Sequence, residues 1–309
     1  MAHEVETMAY AGEVPWHGLG VKVIDDLTPE QMMEKAGLDW TVQKKPALVE
    51  LDNGEKIKTG LYGLVRSSDN KVLTTVGEDW SPVQNSEAMG FFHDFVMEGN
   101  MKMHTAGSLR GGKNVWALAK VDNDFEVFGG DKVESYLLFS NPHEYGKSID
   151  IRFTPIRVVC NNTLTMALGN NGNSVRVDHR KEFDANLVKS TLLSASQQME
   201  EYKNVAELLG SKRYEEDKVK EYFGHVFGFA GKTNELSRTA KKAYDVLETQ
   251  PGSEFQAGSW WQALNAVTYL TDHELGRSND NRISSAWFGG NRMRKINAVK
   301  KAVEYANAA

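Results

Sequence analysis

The chain has 309 residues, 40% of them hydrophobic and 25% charged, with a net charge of −6 and a single cysteine. This is ordinary globular composition, long enough for a sizeable core and, at about 150 residues each, two domains. The negative balance excludes a global basic field that would draw the chain to nucleic acid or an anionic membrane, and the lone Cys160 excludes an intrachain disulfide, as expected in a reducing cytoplasm.

No apolar run approaches the roughly 18 residues of a membrane-spanning helix. The first six residues are acidic and lack an apolar stretch, so no secretory signal is expected. Pro15-Trp16-His17-Gly18-Leu19-Gly20 reads as an ordered turn, with Trp16 as a packing anchor and His17 either a site residue or a satisfied structural histidine. Thr28-Pro29-Glu30-Gln31 opens a helix, with Thr28 at the N-cap, Pro29 at N1 and Gln31 completing a capping box. Gly37 ends it. Residues 38–83 read as an antiparallel meander, turning at Asp52-Asn53-Gly54-Glu55 and again at Ser67-Ser68-Asp69-Asn70. Asn85 is expected to cap a helix whose stripe of Phe91, Phe92, Phe95 and Val96 faces the core and which stops at Gly99.

Residues 101–120 contain Lys102, Arg110, Lys113 and Lys120 and no acid. Two strands are expected there, joined by Arg110-Gly111-Gly112-Lys113-Asn114. A basic, glycine-rich hairpin tip can approach a phosphate backbone closely; it can equally be an ordinary hairpin with solvated charges. Residues 122–134 are acidic. Tyr136–Phe139 reads as a strand broken at Asn141-Pro142-His143. In residues 147–181 six basic residues face only Asp150 and Asp178. Ile149, Ile151 and Phe153 alternate there as a strand, with a bulge or edge position expected at Pro155. Asn161, Asn162 and Thr163 are N-cap residue types, so a helix is expected to start after Cys160, itself read as a small buried hydrophobe. A helix start behind Arg152 and Arg157 would seat a phosphate; the alternative is that the asparagines are plain caps and the arginines solvated.

From Asp184 the period becomes helical. Long apolar faces run through Leu187–Leu209, Tyr214–Phe227, a third helix capped by Thr233 and closed by Pro251-Gly252, a fourth from Trp260, and a fifth through Met293–Val303. The expected fold is α+β: a curved antiparallel β-sheet with packed helices in residues 1–183, then a mostly helical region in residues 184–309.

The chain lacks Cys-x-x-Cys, His-Glu-x-x-His, Walker A and Gly-x-Ser-x-Gly motifs. No metal, cofactor or catalytic residue is assigned, and nothing in the motif content requires an enzyme. Tyr10-Ala11-Gly12-Glu13-Val14-Pro15-Trp16-His17-Gly18-Leu19-Gly20, Ala36-Gly37-Leu38-Asp39-Trp40, Thr105-Ala106-Gly107-Ser108-Leu109-Arg110-Gly111-Gly112, Arg157-Val158-Val159-Cys160-Asn161-Asn162-Thr163-Leu164 and Trp287 occur in this order. The set resembles the phage- and plasmid-associated proteins of domain-of-unknown-function family 932. That resemblance implies carriage by mobile elements, in a bacterial host cytoplasm, and transfers no catalytic position.

Three functions follow as expectations. The first is a nucleic-acid-binding accessory protein, protecting or annealing single strands. It would use Arg110, Lys113, Arg152 and Arg157 on phosphates, the Asn161, Asn162 and Thr163 amides as uncharged donors, and Trp116 as a stacking platform, repeated in a homo-oligomer. The second is a protein-interaction module directed at a host protein, for which Trp260, Trp261 and Phe288 are candidate exposed apolar residues. The third is a hydrolase whose carboxylates sequence cannot pair.

Overall fold

The computed structural model describes residues 5–12, 20–98, 101–157, 162–163, 174–177, 195–232, 234–276 and 282–308. They divide into two compact units that are not separated by one cut of the chain. The first takes residues from 1–121, 137–152 and 174–192; the second takes residues from 122–136, 153–173 and 193–309. The fold is α+β.

In the first unit the strands are β1 (Val5–Tyr10), β2 (Val21–Lys22), β3 (Val42–Glu50), β4 (Lys56–Arg66), β5 (Val72–Val76) and β6 (Lys102–Leu109), with helices α1 (Pro29–Lys35) and α2 (Asn85–Glu98). The strands β7 (Asn114–Val127), β8 (Asp131–Pro142) and β9 (Ile149–Arg157) each run through residues of both units; β10 (Asn162–Thr163) and β11 (Ser174–Val177) follow. One sheet has the order β10-β9-β8-β7-β6-β1-β2, with β11 also on β9; a second, antiparallel sheet is β3-β4-β5. Side chains of a strand alternate between faces, yet residues 105–109 and 114–119 are buried at every position, so both faces are covered there. Leu109, Val115, Ala117 and Phe139 are fully buried, and Phe92 of α2 packs its ring 5.5 Å from that of Phe139.

Local chemistry sets α1 as expected: Gln31 N–H donates to Thr28 Oγ1 at 3.2 Å and Thr28 N–H to Gln31 Oε1 at 2.9 Å. Several expectations are corrected. Asn85 does not cap α2, because its amide is drawn inward by long-range partners; Gln84 N–H is instead met by Glu87 Oε2 at 2.9 Å. β8 continues through Asn141 and Pro142; β9 runs on past Pro155, which lies between the stretches paired to β11 and to β10, as an edge position would. Asn162 and Thr163 do not start a helix: their backbones pair antiparallel with Arg157 and Ile156. Asn161, Cys160 and His17 lie outside the described residues, as does Thr233.

The second unit is helical: α3 (Ala195–Ser211), α4 (Glu216–Phe227), α5 (Arg238–Asp245), α6 (Trp260–Tyr269), a π turn at Leu270–Glu274, α7 (Arg282–Phe288) and α8 (Gly290–Ala308). Ser237 Oγ, accepting from Ala240 N–H at 3.2 Å, caps the third of these. α7 was not evident from the sequence. Trp260 and Trp261 are fully buried rather than exposed candidates: Trp260 stacks on Tyr305 at 5.1 Å and meets the edge of Tyr222 at 5.5 Å. Burial pushes the Tyr222 phenol far above its ordinary pKa. Adjacent residues of a helix point different ways, so Trp261 turns to Tyr202 and Phe128 and donates Nε1–H to Asp131 Oδ2 at 2.9 Å. α3 passes close to the Phe128 ring only because position 210 is glycine; an added Cβ would collide with the ring.

Removing that indole donor from a fully buried carboxylate should be costly. Trp261→Phe is expected to lower stability by about 1.5–3 kcal/mol, read as a shifted urea midpoint with an unchanged slope.

Candidate functional site

The turn between β6 and β7 is the glycine-rich stretch singled out by sequence, and three successive residues there have left-handed backbone: Arg110 at φ 57°, Gly111 at 68° and Gly112 at 86°. Glycine tolerates this without steric cost. It also clears space. A Cβ on Gly112 would stand 2.5 Å from Arg66 Nη1, and one on Gly111 would meet Lys71 Nζ.

Arg66, 6% exposed at the end of β4, is the polar centre of this region. Its Nη1 and Nη2 donate to Glu6 Oε2 and Oε1 at 2.6 and 2.9 Å, while Nε and Nη2 donate to Asp69 Oδ1 and Oδ2 at 2.9 and 2.6 Å. Ser108 adds a hydroxyl to Glu6 at 3.3 Å. The guanidinium lies 5.5 Å over the Trp40 ring. Arg66's hydrogen bonds hold the Asp69 carboxyl down at about 2 and the Glu6 carboxyl below its usual range. Beside this cluster, Asn85 donates to the carbonyls of Leu38 and Trp40 at 2.9 and 3.3 Å, and its Oδ1 meets His143 Nε2 at 2.9 Å. His143 N–H in turn donates to Lys113 O at 2.8 Å.

The predicted nucleic-acid residues are placed as follows. Arg110 and Lys113 share the turn, but Arg110 makes a bidentate bond to Glu144 at 2.7 and 2.8 Å. Lys113 is half-buried. Trp116 is 1% exposed, inside the core, where no base can stack on it. Arg152 is 6% exposed and lies 3.5 Å from Asp150. Arg157, Asn162 and Thr163 have described backbones in the second unit, on the β9–β10 pair, which offers no helix N-terminus. Among the described residues the structure therefore brings together Arg110 and Lys113 at the turn and, separately, the backbones of Arg157, Asn162 and Thr163. Among the described residues no group of three His, Cys, Asp or Glu is arranged to hold a metal ion, and no helix is long and apolar enough to cross a membrane.

A different surface emerges on the β3–β4 hairpin. From Lys45 to Leu61 nearly every residue is exposed. Leu48, Val49, Leu51, Ile57 and Leu61 are 40–52% exposed, and Val72 of neighbouring β5 is 57% exposed; these are six of the eleven large exposed apolar residues among those described. β5 covers β4 only from Tyr62 to Val65. Outward of that the hairpin is a bare two-stranded ribbon. It bends where the register slips between Pro46 and Leu48, opposite Gly60 at φ 78°. Beyond the bend Val49 stands opposite Ile57, Leu48 opposite Lys58 and Glu50 opposite Lys56. The tip closes with Leu51 N–H to Glu55 O and Glu55 N–H to Asn53 Oδ1, both at 2.9 Å. The Asn-Gly turn was the sequence signal for this hairpin; that its side chains stay exposed was not legible.

A family model described as "Domain of unknown function (DUF932)" matches residues 72–287. No curated protein and no solved structure matches.

The carboxyls on Arg66 have lowered folded-state pKa values. Their stabilisation is complete above the ordinary carboxylate range and is lost as pH falls through their folded values, about 2 for Asp69. Glu6→Gln should therefore flatten the loss of stability on acidification, measured by thermal melts across acid pH. Gly112→Ala, strained and overlapping Arg66, should lower the melting temperature at neutral pH.

Proposed function

Because the chain belongs to the DUF932 family of unknown function, its activity is to be sought in its own geometry, and we propose that it is a protein-interaction module whose contact element is the β3–β4 ribbon. One observation carries this reading: five large apolar side chains stand half-exposed on a ribbon with both faces open. Val49, Leu51 and Ile57 share one face of it, and grouped apolar surface marks contact sites, whereas scattered single residues do not. A two-stranded hairpin is marginal by itself in water, so a partner that covers one face would stabilise it as well as bind it.

The geometry supports this reading over nucleic-acid binding. Arg110 and Arg152 are engaged by Glu144 and Asp150, and Trp116 is enclosed. On the ribbon, Lys45, Lys56 and Lys58 are balanced by Glu50, Asp52 and Glu55, which gives no cationic track for phosphates.

A photo-crosslinking amino acid placed at Val49 in the full chain, in cells producing it, should capture protein in discrete adducts. The same probe at Met293, 57% exposed in the second unit, serves as control. Adducts at Val49 that exceed the control and disappear with Ile57→Glu are expected. Yields equal to the control would overturn the reading. Salt-sensitive binding of a single-stranded oligonucleotide that falls with Lys113→Ala would favour the nucleic-acid alternative instead.

A further inference from the structure

Resting on that reading of the ribbon, we propose that the surface it engages is the same ribbon of a second copy of this chain, docked face to face and antiparallel about a two-fold axis. Strand alternation puts Lys45, Ala47, Val49 and Leu51 of β3 on one face. Across the hairpin, Val49 stands opposite Ile57 and Leu51 opposite Glu55, so Ile57 and Glu55 share that face. The face therefore has an apolar middle, a cation at its shoulder (Lys45) and an anion at its tip (Glu55).

The other face is different. There Leu48 lies opposite Lys58, and Glu50 pairs with Lys56 at 3.7 Å, so its charges already answer one another within the ribbon. Desolvating them would be costly, and their pairing leaves little to direct a partner.

A two-fold interface is isologous: each residue meets its counterpart's partner reciprocally. With the ribbons antiparallel about an axis between Ala47 and Val49, the Ala47, Val49 and Ile57 side chains of the two copies cover one another at the centre. Lys45 of each then lies towards Glu55 of the other, so both ends are charge-complementary. A parallel arrangement would oppose Lys45 to Lys45 and Glu55 to Glu55, and like charges face to face are strongly unfavourable. The ribbon is thus complementary to its own inverted copy. An added strand from another protein is a poorer occupant, because it would pair with the edge of the ribbon and leave the Val49–Ile57 face uncovered. A polyanion is poorer still, since Lys45 and Glu55 cancel.

The test is sedimentation equilibrium of the full chain from low to high micromolar concentration, with circular dichroism to verify folding. The parent is expected to show a reversible monomer–dimer equilibrium above 34.5 kDa. Lys45→Glu alone, and Glu55→Lys alone, should each weaken self-association by roughly tenfold, because each places like charges at both ends. An equimolar mixture of the two variants should recover dimers of near-parental affinity, since every end is again complementary. Val49→Glu should abolish the dimer.

A parent that stays monomeric, or a mixture no tighter than either variant alone, overturns the second-copy proposal. If the Val49 crosslinker still captures other proteins in that case, the interaction-module reading stands and only its occupant was wrong. If the crosslinker also captures nothing above its control, both fall. Should Val49→Glu misfold, the charge-reversal mixture decides alone, because Lys45 and Glu55 are exposed and contribute no core.

Discussion

A guanidinium removed from water must be met on nearly all of its donors, and Arg66 is met by two carboxylates from different parts of the first unit. Glu6 comes from β1, while Asp69 comes from the turn that leads to β5. The close approach of Gly112 brings the β6–β7 turn against the same group, and Trp40 lies beneath it. One charged centre thereby ties the small β3-β4-β5 sheet to the large one. The glycines that looked like an approach to phosphate serve as clearance for this arginine and for Lys71.

The same anchoring explains why the hairpin's outer part can stand bare. Leu64, Val65 and Arg66 at the base of β4 are buried, whereas residues 51–61 are exposed throughout. The base is fixed by core packing and the Arg66 cluster, so the ribbon has a definite register without needing cover along its length. Its turn chemistry holds the tip, and Gly60 sets the bend. The apolar side chains beyond that bend are left 40–52% exposed, and the proposed contact rests on that exposure.

The second unit is built on different physics. Its stability comes from interlocked aromatic rings, with Trp260 among Tyr214, Tyr222 and Tyr305 and Trp261 among Phe128 and Tyr202. Val127 and Val133 of the strands β7 and β8 join this core. The acidic stretch 122–134 therefore belongs to the helical unit by packing, although it lies on the strands β7 and β8. Lys295 and Asp272 form a buried ion pair of this unit at 2.7 Å, with Asp272 inside its π turn.

What the sequence determined by itself was local. The capping box of Thr28 and Gln31 needs only residues three apart. The Asn53-Gly54 turn and the apolar stripes of α4, α6 and α8 are equally short in range, and they suffice for the α+β class. Tertiary structure decided which faces were covered and which charges were answered. Arg110 meets Glu144 across 34 residues and Arg66 meets Glu6 across 60, and no pattern within a strand announces such a partner. Alternation states that Trp116 and Val49 each lie on some face of a strand; it does not state that the first is sealed and the second open. Asn162 and Thr163 look like a helix cap by type, yet backbone pairing with β9 made them a strand. The physical reason is common to all of these: propensity and capping act within a turn, while burial and ion pairing depend on what the rest of the chain brings to the same place.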